Sequence, residues 1–176
     1  MGQGNLFLVG MMGSGKTTLG RALAQRLRLP FVDTDKVLVE RTGVPVAMIF
    51  EIEGEAGFRR RESAILAELA EGGDQVVATG GGAVLSADNR AVMRSAGTVI
   101  YLRARIEHLW ERTRHDSSRP LLATADPRGT LETLLQARDP LYREAAHLVV
   151  DTGTQSANTL VSRVVSALRR HEEQRG

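Results

Sequence analysis

The chain has 176 residues, of which 42% are hydrophobic and 25% charged, and its formal net charge is +2. These values are typical of one soluble globular domain, and the small net charge argues against a broad nucleic-acid-binding surface. The absence of cysteine excludes disulfides, thiolate zinc sites and thiol nucleophiles. No apolar run approaches the roughly 20 residues that cross a bilayer, and the first residues do not resemble a signal peptide. We therefore expect one cytoplasmic domain, residues 1–176, that binds neither nucleic acid nor membrane.

Five short apolar segments predict β-strands, and three of them are almost continuously apolar, as strands covered on both faces should be. The segments are 5–9, 30–35, 75–79, 98–102 and 147–151. Residues with helical spacing lie between them, for example Leu19, Leu23 and Leu27 after the first strand. This alternation predicts a three-layer α/β fold with a five-stranded parallel sheet between helices.

A glycine-rich segment, LVGMMGSGKT at 8–17, follows the first strand and opens the first predicted helix. Gly10, Gly15, Lys16 and Thr17 satisfy G-x-x-x-x-G-K-[ST], the P-loop motif. Glycines let backbone N–H groups approach phosphate oxygens, and the helix N-terminus adds positive charge. Lys16, one of only two lysines, would reach the β- and γ-phosphates, and the Thr17 hydroxyl would bind Mg²⁺. The residues expected to bind the nucleotide here are Gly13, Ser14, Gly15, Lys16, Thr17 and Thr18.

The P-loop alone does not select a function. A GTPase would carry Asn-Lys-x-Asp, and neither lysine lies in such a motif. A motor or assembly ATPase usually has an apolar strand that ends in Asp beside a catalytic Glu, whereas the third strand here runs into TGGG at 79–82. The short chain therefore favours phosphate transfer to a small molecule.

Asp33 and Asp35 follow the second strand in the segment VDTD. The carboxyl ends of parallel strands are where ligands bind in open sheets, and two residues separated by one on a strand face the same side. These carboxylates could hold hydrated Mg²⁺ or accept hydrogen bonds from substrate hydroxyls. Capping of the strand end is the alternative interpretation.

Three further segments carry arginines or glycines. GFRRRES, 57–63, is predicted to start a helix on which Glu62 can hold Arg59 in place, although a solvated surface role is more typical of an isolated arginine on a helix. Three glycines at 80–82 would allow a ligand close to the backbone. The segment 114–130, with two prolines and a glycine, predicts a mobile surface loop.

Together these segments closely resemble the shikimate kinase family over nearly the whole chain. The matching motifs, in family order, are the P-loop at 10–17, D-T-D at 33–35, F-R-x-x-E at 58–62, G-G-G at 80–82, R-P-L-L at 119–122 and R-x-P-L-Y at 138–142. The resemblance implies a nucleoside monophosphate kinase-like fold with strand order 2-3-1-4-5. It also implies a substrate-binding region at about 34–62 and a mobile lid at about 112–124.

The resemblance implies transfer of the ATP γ-phosphoryl group to the 3-hydroxyl of shikimate, a step toward chorismate and the aromatic amino acids. In that family pattern Arg59 and Arg138 hold the shikimate carboxylate, assisted by the backbone N–H groups of Gly81 and Gly82. Asp35 accepts from the ring hydroxyls and orients the 3-hydroxyl. Thr17 binds Mg²⁺ directly, and Asp33 binds it through water.

The same resemblance places Arg119 in the lid, where it would neutralise charge on the transferred group, and matches Arg112 to the arginine that stacks on adenine. The predicted catalytic residues are thus Lys16, Asp35 and Arg119. After the fifth strand the match is weaker, and Gln155 is the best candidate for an adenine contact. Like other small kinases with lids, the protein is expected to be a monomer.

Two other functions stay open at this point. A kinase for another small carboxylated polyol, such as gluconate, would share the P-loop but is not expected to share F-R-x-x-E with R-x-P-L-Y. A nucleotide-binding regulatory module would retain the fold without turnover.

Overall fold

A computed structural model describes residues 4–176 of the chain, so the first three residues of the predicted domain lie outside it. One parallel sheet has the strand order β2-β3-β1-β4-β5, which confirms the predicted sheet and its order. The strands are Asn5–Val9 (β1), Phe31–Asp33 (β2), Val76–Ala78 (β3), Gly97–Ala104 (β4) and Leu148–Thr152 (β5). At the centre of the sheet, Phe7 of β1 pairs with Val77 of β3 and Val99 of β4.

Helices cover both faces of the sheet. They are Lys16–Leu27 (α1), Thr34–Thr42 (α2), Val46–Glu71 (α3), Ala87–Ala96 (α4), Ile106–Thr113 (α5), Pro127–Ala145 (α6) and Ala157–Arg175 (α7), with short 3₁₀ turns at Ala83–Leu85 and Pro120–Leu122. Successive residues of β1 alternate between two cores: Phe7 packs with α4 to α6, and Leu8 with α1 and α7. None of these described helices is long and apolar enough to cross a membrane.

The second strand is shorter than predicted because a helix begins directly after it. The Asp33 carboxylate accepts hydrogen bonds from the backbone N–H groups of Asp35 at 3.0 Å and Lys36 at 3.3 Å. Asp33 is therefore the N-cap of α2, which satisfies N–H groups that have no partner within the helix. The expectation that Asp33 and Asp35 share one face of a strand is wrong, since Asp35 lies in the first turn of α2.

The helix that carries the three arginines also begins earlier than predicted, at Val46 instead of about residue 57. A kink at Gly54, with φ 73° and ψ 177°, separates a first segment from the one that carries Arg59. Phe58 and Leu38 belong to a third, smaller hydrophobic cluster that packs α3 against α2. This packing holds Arg59 beside the carboxyl edge of the sheet.

The irregular segment between α5 and α6 is shorter than the predicted 114–130. The helix α6 starts at Pro127, because the Asp126 carboxylate accepts from the N–H of Gly129 at 3.1 Å and proline suits the first helical position. Upstream, Arg112 lies in the last turn of α5. The segment 114–126, which includes Arg119, therefore connects two helices at the edge where the P-loop lies.

Candidate active site

The P-loop lies between β1 and α1 and depends on glycines at three positions. Gly10, Gly13 and Gly15 have φ values of 151°, 82° and 94°, which other residues rarely adopt. A Cβ at Gly10 would lie 2.7 Å from the Leu102 carbonyl oxygen, and one at Gly13 would lie 2.8 Å from a methyl group of Thr113. The loop thus fits closely against β4 and α5, and it leads directly into the N-terminus of α1.

Lys16 extends back over this loop. Its ammonium group donates to the carbonyl oxygens of Gly10 at 2.6 Å and Met11 at 2.9 Å. Burial lowers the pKa of Lys16 to about 8, and the carboxylates of Asp35 and Asp33 oppose that shift. A cation held over a glycine-rich loop is suited to an anionic ligand such as a phosphate chain.

Thr17 and Asp33 form a polar pair beside Lys16. The Thr17 hydroxyl donates to Asp33 Oδ2 at 3.0 Å, while Asp33 Oδ1 accepts from the backbone of α2. Among residues 4–176, no group of three or more acidic, histidine or cysteine side chains could hold a metal. A hydroxyl with one nearby carboxylate fits Mg²⁺, which usually keeps several waters and takes further oxygens from substrate phosphates.

A cavity of about 830 Å³ brings these groups together, and we call it the P-loop cavity. It joins the P-loop, the start of α2, the glycine loop after β3 and the segment between α5 and α6. Its walls contain ten predicted site residues: Gly13, Gly15, Lys16, Thr17, Thr18, Asp33, Asp35, Gly81, Arg112 and Arg119.

A smaller cavity adjoins it and contains two arginines that belong to different helices; we call it the arginine cavity. Arg59 comes from α3 and Arg138 from α6, and Gly81 and Gly82 lie between them. Six residues line both cavities: Met12, Asp35, Gly80, Gly81, Arg119 and Pro120. The two cavities therefore meet, and a molecule in one can contact a molecule in the other at this boundary.

Charged groups of the arginine cavity are buried with unused hydrogen-bonding capacity. Arg138 and Glu62 are each only 2% exposed. Arg59 donates to Glu62 at 3.0 Å and, more weakly, to Glu55 at 3.4 Å. Arg138 Nη1 and Arg59 Nε are nevertheless buried without a hydrogen-bond partner. Buried donors without partners are rare in folded proteins, so these arginines indicate a site for an anionic ligand.

The three glycines after β3 allow close contacts with charged side chains as well as with a ligand. A Cβ at Gly80 would lie 2.5 Å from Glu62 Oε2, and one at Gly82 would collide with the Arg59 guanidinium. Larger residues at Gly80 and Gly82 would therefore displace Glu62 and Arg59.

Two acidic groups in this region, Asp35 and Glu62, have raised pKa values. Burial, and secondarily the Asp33 carboxylate, raises the pKa of Asp35 against the opposing charges of Lys16 and Arg119. Burial likewise raises the pKa of Glu62, and Arg59 opposes that shift. A carboxylate with a raised pKa is a stronger base, and strongly perturbed groups inside a cavity are typical of active sites.

Two further arginines, Arg112 and Arg119, line the P-loop cavity and bond to neighbouring segments. Arg119 donates from Nε to Asp116 at 3.0 Å. Arg112 donates to the carbonyl oxygens of Gly13 at 3.0 Å and Gly153 at 2.9 Å, so it bridges the P-loop and the segment after β5. A side cavity of about 240 Å³ lies next to Arg112, and Ser14 and Gln155 line it.

Several lining residues were not predicted as site residues from the sequence. Phe50 and Phe58, whose ring centroids are 4.6 Å apart, form an apolar wall of the arginine cavity with Leu121. Phe58 and Leu121 belong to the family motifs F-R-x-x-E and R-P-L-L, but neither was assigned a role. Pro120, also in R-P-L-L, lines both cavities.

Comparison with known proteins agrees with this geometry. A family model described as shikimate kinase matches residues 12–169. A shikimate kinase from Nitrosospira multiformis is 57% identical over 165 residues, which cover 94% of this chain and 85% of that protein. The structure of a shikimate kinase from Acinetobacter baumannii in complex with shikimate is 43% identical, with a TM-score of 0.93 over 95% of this chain and 93% of the other.

A gluconokinase from Sinorhizobium meliloti also has a similar structure, with a TM-score of 0.60 at 19% identity over 98% of this chain and 95% of the other. At that identity the likeness shows a shared fold and does not favour gluconate as the substrate. The family match and the 57% identity to the Nitrosospira multiformis enzyme lead to a definite assignment. This chain belongs to the shikimate kinase family.

Proposed function

We propose that this protein transfers the γ-phosphoryl group of ATP to the 3-hydroxyl of shikimate, giving shikimate 3-phosphate and ADP. The observation that carries the proposal is the meeting of two cavities, one built on a P-loop and one containing the half-buried Arg59 and the buried Arg138. Shikimate has a carboxylate at one end and hydroxyls at the other. Its carboxylate would lie between the arginines, and its hydroxyls would face Asp35 at the shared boundary.

The carboxylate end accounts for the unused donors of the arginine cavity. Arg59 and Arg138 present guanidinium groups, which can bind both oxygens of a carboxylate, and lysine has no such planar fork. The backbone N–H groups of Gly81 and Gly82 would supply further donors. Hydrogen bonds to charged groups contribute roughly 1.5 to 3 kcal/mol each, which is enough to select an acid over a neutral polyol.

At the other end, Asp35 would accept a hydrogen bond from the 3-hydroxyl and receive its proton during transfer. The hydroxyl oxygen forms a bond to the γ-phosphorus as the bond from that phosphorus to the β,γ-bridging oxygen breaks, and ADP leaves. Lys16 and Arg119 would neutralise charge on the phosphate oxygens. Phosphoryl transfer depends mainly on such positioning and charge stabilisation.

Mg²⁺ fits the donor set beside the P-loop, where Thr17 would hold it directly and Asp33 through water. When bound, it would neutralise charge on the phosphate oxygens. Arg112 would stack on the adenine, and Gln155, whose Oε1 is buried without a partner, would contact it from the side cavity. Gly13, Ser14, Gly15 and Thr18 would surround the phosphates.

The proposed organisation is a single domain with a P-loop at 10–17, a substrate-binding region at about 34–62 and a lid at about 112–124. The protein would act as a monomer in the cytoplasm, in the synthesis of chorismate and the aromatic amino acids, as the family resemblance implies. Light scattering at working concentration would test the oligomeric state.

The function is tested by ADP release in the presence of Mg-ATP and shikimate, with gluconate and nucleoside monophosphates as competing acceptors. Of these acceptors, we expect only shikimate to cause rapid ADP release. Phosphorus NMR should then show an amount of phosphorylated shikimate that matches the ADP. Turnover with gluconate and not with shikimate would show that the substrate is a different carboxylated polyol. ATP binding without turnover on any acceptor would show that the protein is a nucleotide-binding regulatory module.

A further inference from the structure

The glycine loop of the arginine cavity is held by a residue that does not line that cavity. The Tyr142 hydroxyl donates to the carbonyl oxygen of Gly81 at 2.5 Å. Tyr142 is fully buried, whereas Gly81 and Gly82 form part of the cavity wall. The tyrosine therefore contacts the loop from behind, on the side away from the proposed ligand.

This contact fixes the direction of a backbone donor. The Gly81 carbonyl and the Gly82 N–H belong to one peptide group, and in a trans peptide they point in opposite directions. All described peptides are trans. Holding the carbonyl toward Tyr142 thus turns the Gly82 N–H toward the cavity, and within residues 4–176 that N–H has no backbone acceptor. Without such a contact a peptide between two glycines could rotate easily.

Tyr142 is itself rigidly placed. Its ring packs against Tyr101 with a centroid distance of 4.9 Å. It lies one turn after Arg138 on α6, so a single helix supports both the guanidinium and the loop. Burial raises the pKa of Tyr142 to about 12, which keeps the hydroxyl protonated and able to donate.

The turn that follows the glycines is held in the same way. The Asn89 side chain donates to the Ala83 carbonyl at 2.9 Å, and Arg90 donates to the Val84 carbonyl at 2.6 Å. These contacts from α4 fix the backbone just after the loop. They leave the Gly81–Gly82 peptide as the part whose orientation depends on Tyr142.

We propose that Tyr142 is a positioning residue for substrate binding: its hydroxyl orients the Gly81–Gly82 peptide so that the Gly82 N–H meets the carboxylate held by Arg59 and Arg138. This inference rests on the proposed function. Tyr142 lines neither cavity, so it acts through the groups beside its hydroxyl, the Gly81 carbonyl and Arg138. Both groups lie at the proposed carboxylate end of shikimate, remote from the 3-hydroxyl.

The test compares Tyr142→Phe with Tyr101→Phe. Both changes remove one buried hydroxyl from the same aromatic pair, but the Tyr101 hydroxyl donates to Asp139 at 2.6 Å and not to the loop. We expect Tyr142→Phe to raise the KM for shikimate about tenfold, since a donor to a charged group is lost, with the KM for ATP and kcat changing less than about twofold. Tyr101→Phe should leave the shikimate KM near the wild-type value.

A second comparison uses a shikimate analogue in which a hydroxymethyl group replaces the carboxylate. The ratio of binding constants between wild type and Tyr142→Phe, measured by calorimetry, should fall toward one for this analogue. Any of three results would overturn the inference. The shikimate KM could stay unchanged in Tyr142→Phe, it could rise equally in Tyr101→Phe, or the ratio of binding constants could be the same for the analogue as for shikimate. Failure of the proposed function is distinct from these results, because the wild-type enzyme itself would then not phosphorylate shikimate.

Discussion

The ammonium group of Lys16 is buried over the P-loop, and burial lowers its pKa to about 8. Phosphate binding needs the charged form. In the free enzyme that form predominates below pH 8 and declines as the pH rises through that value. The pH dependence of ATP binding should therefore include the titration of Lys16.

We expect the dissociation constant of Mg-ATP to rise about tenfold between pH 7 and pH 9 in the wild type, because a pKa of about 8 leaves roughly a tenth of Lys16 charged at pH 9. Lys16→Arg keeps its charge across this range and should show weaker but nearly pH-independent binding. Calorimetry at both pH values checks this. If the wild-type affinity for Mg-ATP did not change with pH, binding would not depend on the protonation of Lys16.

If Arg138 binds the substrate carboxylate as proposed, the geometry of its donors should matter more than its charge. We expect Arg138→Lys to raise the KM for shikimate at least about tenfold and to leave ATP binding nearly unchanged, because lysine lacks the planar pair of donors. Arg143→Lys, an exposed change on the same helix, is the matched control. Equal weakening of both ligands, measured by calorimetry, would contradict the placement of Arg138 at the carboxylate.

Motif spacing predicted the P-loop residues of the larger cavity, because binding a phosphate chain requires particular side chains at fixed positions along the chain. Arg59 and Arg138 of the smaller cavity were predicted from the resemblance to the shikimate kinase family. Spacing could not predict the Tyr142 contact with Gly81, which joins residues 61 positions apart in the sequence. It also could not show that Glu62 is almost fully buried, since burial depends on how α3 packs on the rest of the molecule.

Among the elements, differences from the predictions lie at helix starts. The starts of α2 and α6 are set by the side chains of Asp33 and Asp126, which cap backbone N–H groups. Both signals are present in the sequence, as D-x-D-K and D-P-x-G. A single aspartate can serve a ligand or a cap, however, and at Asp33 one carboxylate contacts both the helix and Thr17.

The segment between α5 and α6 provides an element-scale prediction. Arg119 borders both cavities, whereas Arg114 in the same segment lies 3.8 Å from Glu111 and borders neither. We expect Arg119→Ala to lower kcat about 10³-fold, as loss of a charge-neutralising arginine does in related chemistry. Arg114→Ala should change kcat less than about twofold. Rapid-quench measurement of the transfer step and a separate measurement of shikimate affinity distinguish an effect on catalysis from one on binding. A normal kcat in Arg119→Ala would exclude a catalytic role for Arg119.

For the whole molecule, the alternation of strands and helices was sufficient to predict the sheet and its layers. The central strand β1 matched its predicted bounds, because a continuous apolar run buried on both faces leaves little choice of structure. The predicted alternation implied a helix between β3 and β4 but gave no bounds for α4, and it did not include the 3₁₀ turn that precedes α4. Those elements nonetheless support the glycine loop.

Where the sheet meets the C-terminal helix, His147 makes the stability of the fold depend on pH. Its Nδ1 accepts from the Val99 N–H at 2.9 Å, and burial together with Arg94, His171 and Arg175 lowers its pKa. The unfolded chain then binds more protons than the folded one, so this contribution is present above about pH 6.5 and is lost as the pH falls.

We expect the wild-type Tm to fall between pH 7.5 and pH 5.5 by more than that of His147→Asn, whose amide oxygen can accept from Val99 without titrating. His115→Asn, at an exposed position, is the control. Asp35 and Glu62 act in the opposite direction because their raised pKa values favour the folded state at low pH. The difference between variants isolates His147, and identical pH profiles would refute its contribution.

The six residues that line both cavities, which include Met12 and Pro120, also bear on inhibitor design. The cavities adjoin at these shared residues, so a short tether could join an acidic ring to an adenosine polyphosphate within one compound. Attaching the halves makes the second contact intramolecular, and such bisubstrate ligands can exceed the affinity of either half by about 10² to 10⁴ when the tether spans the gap.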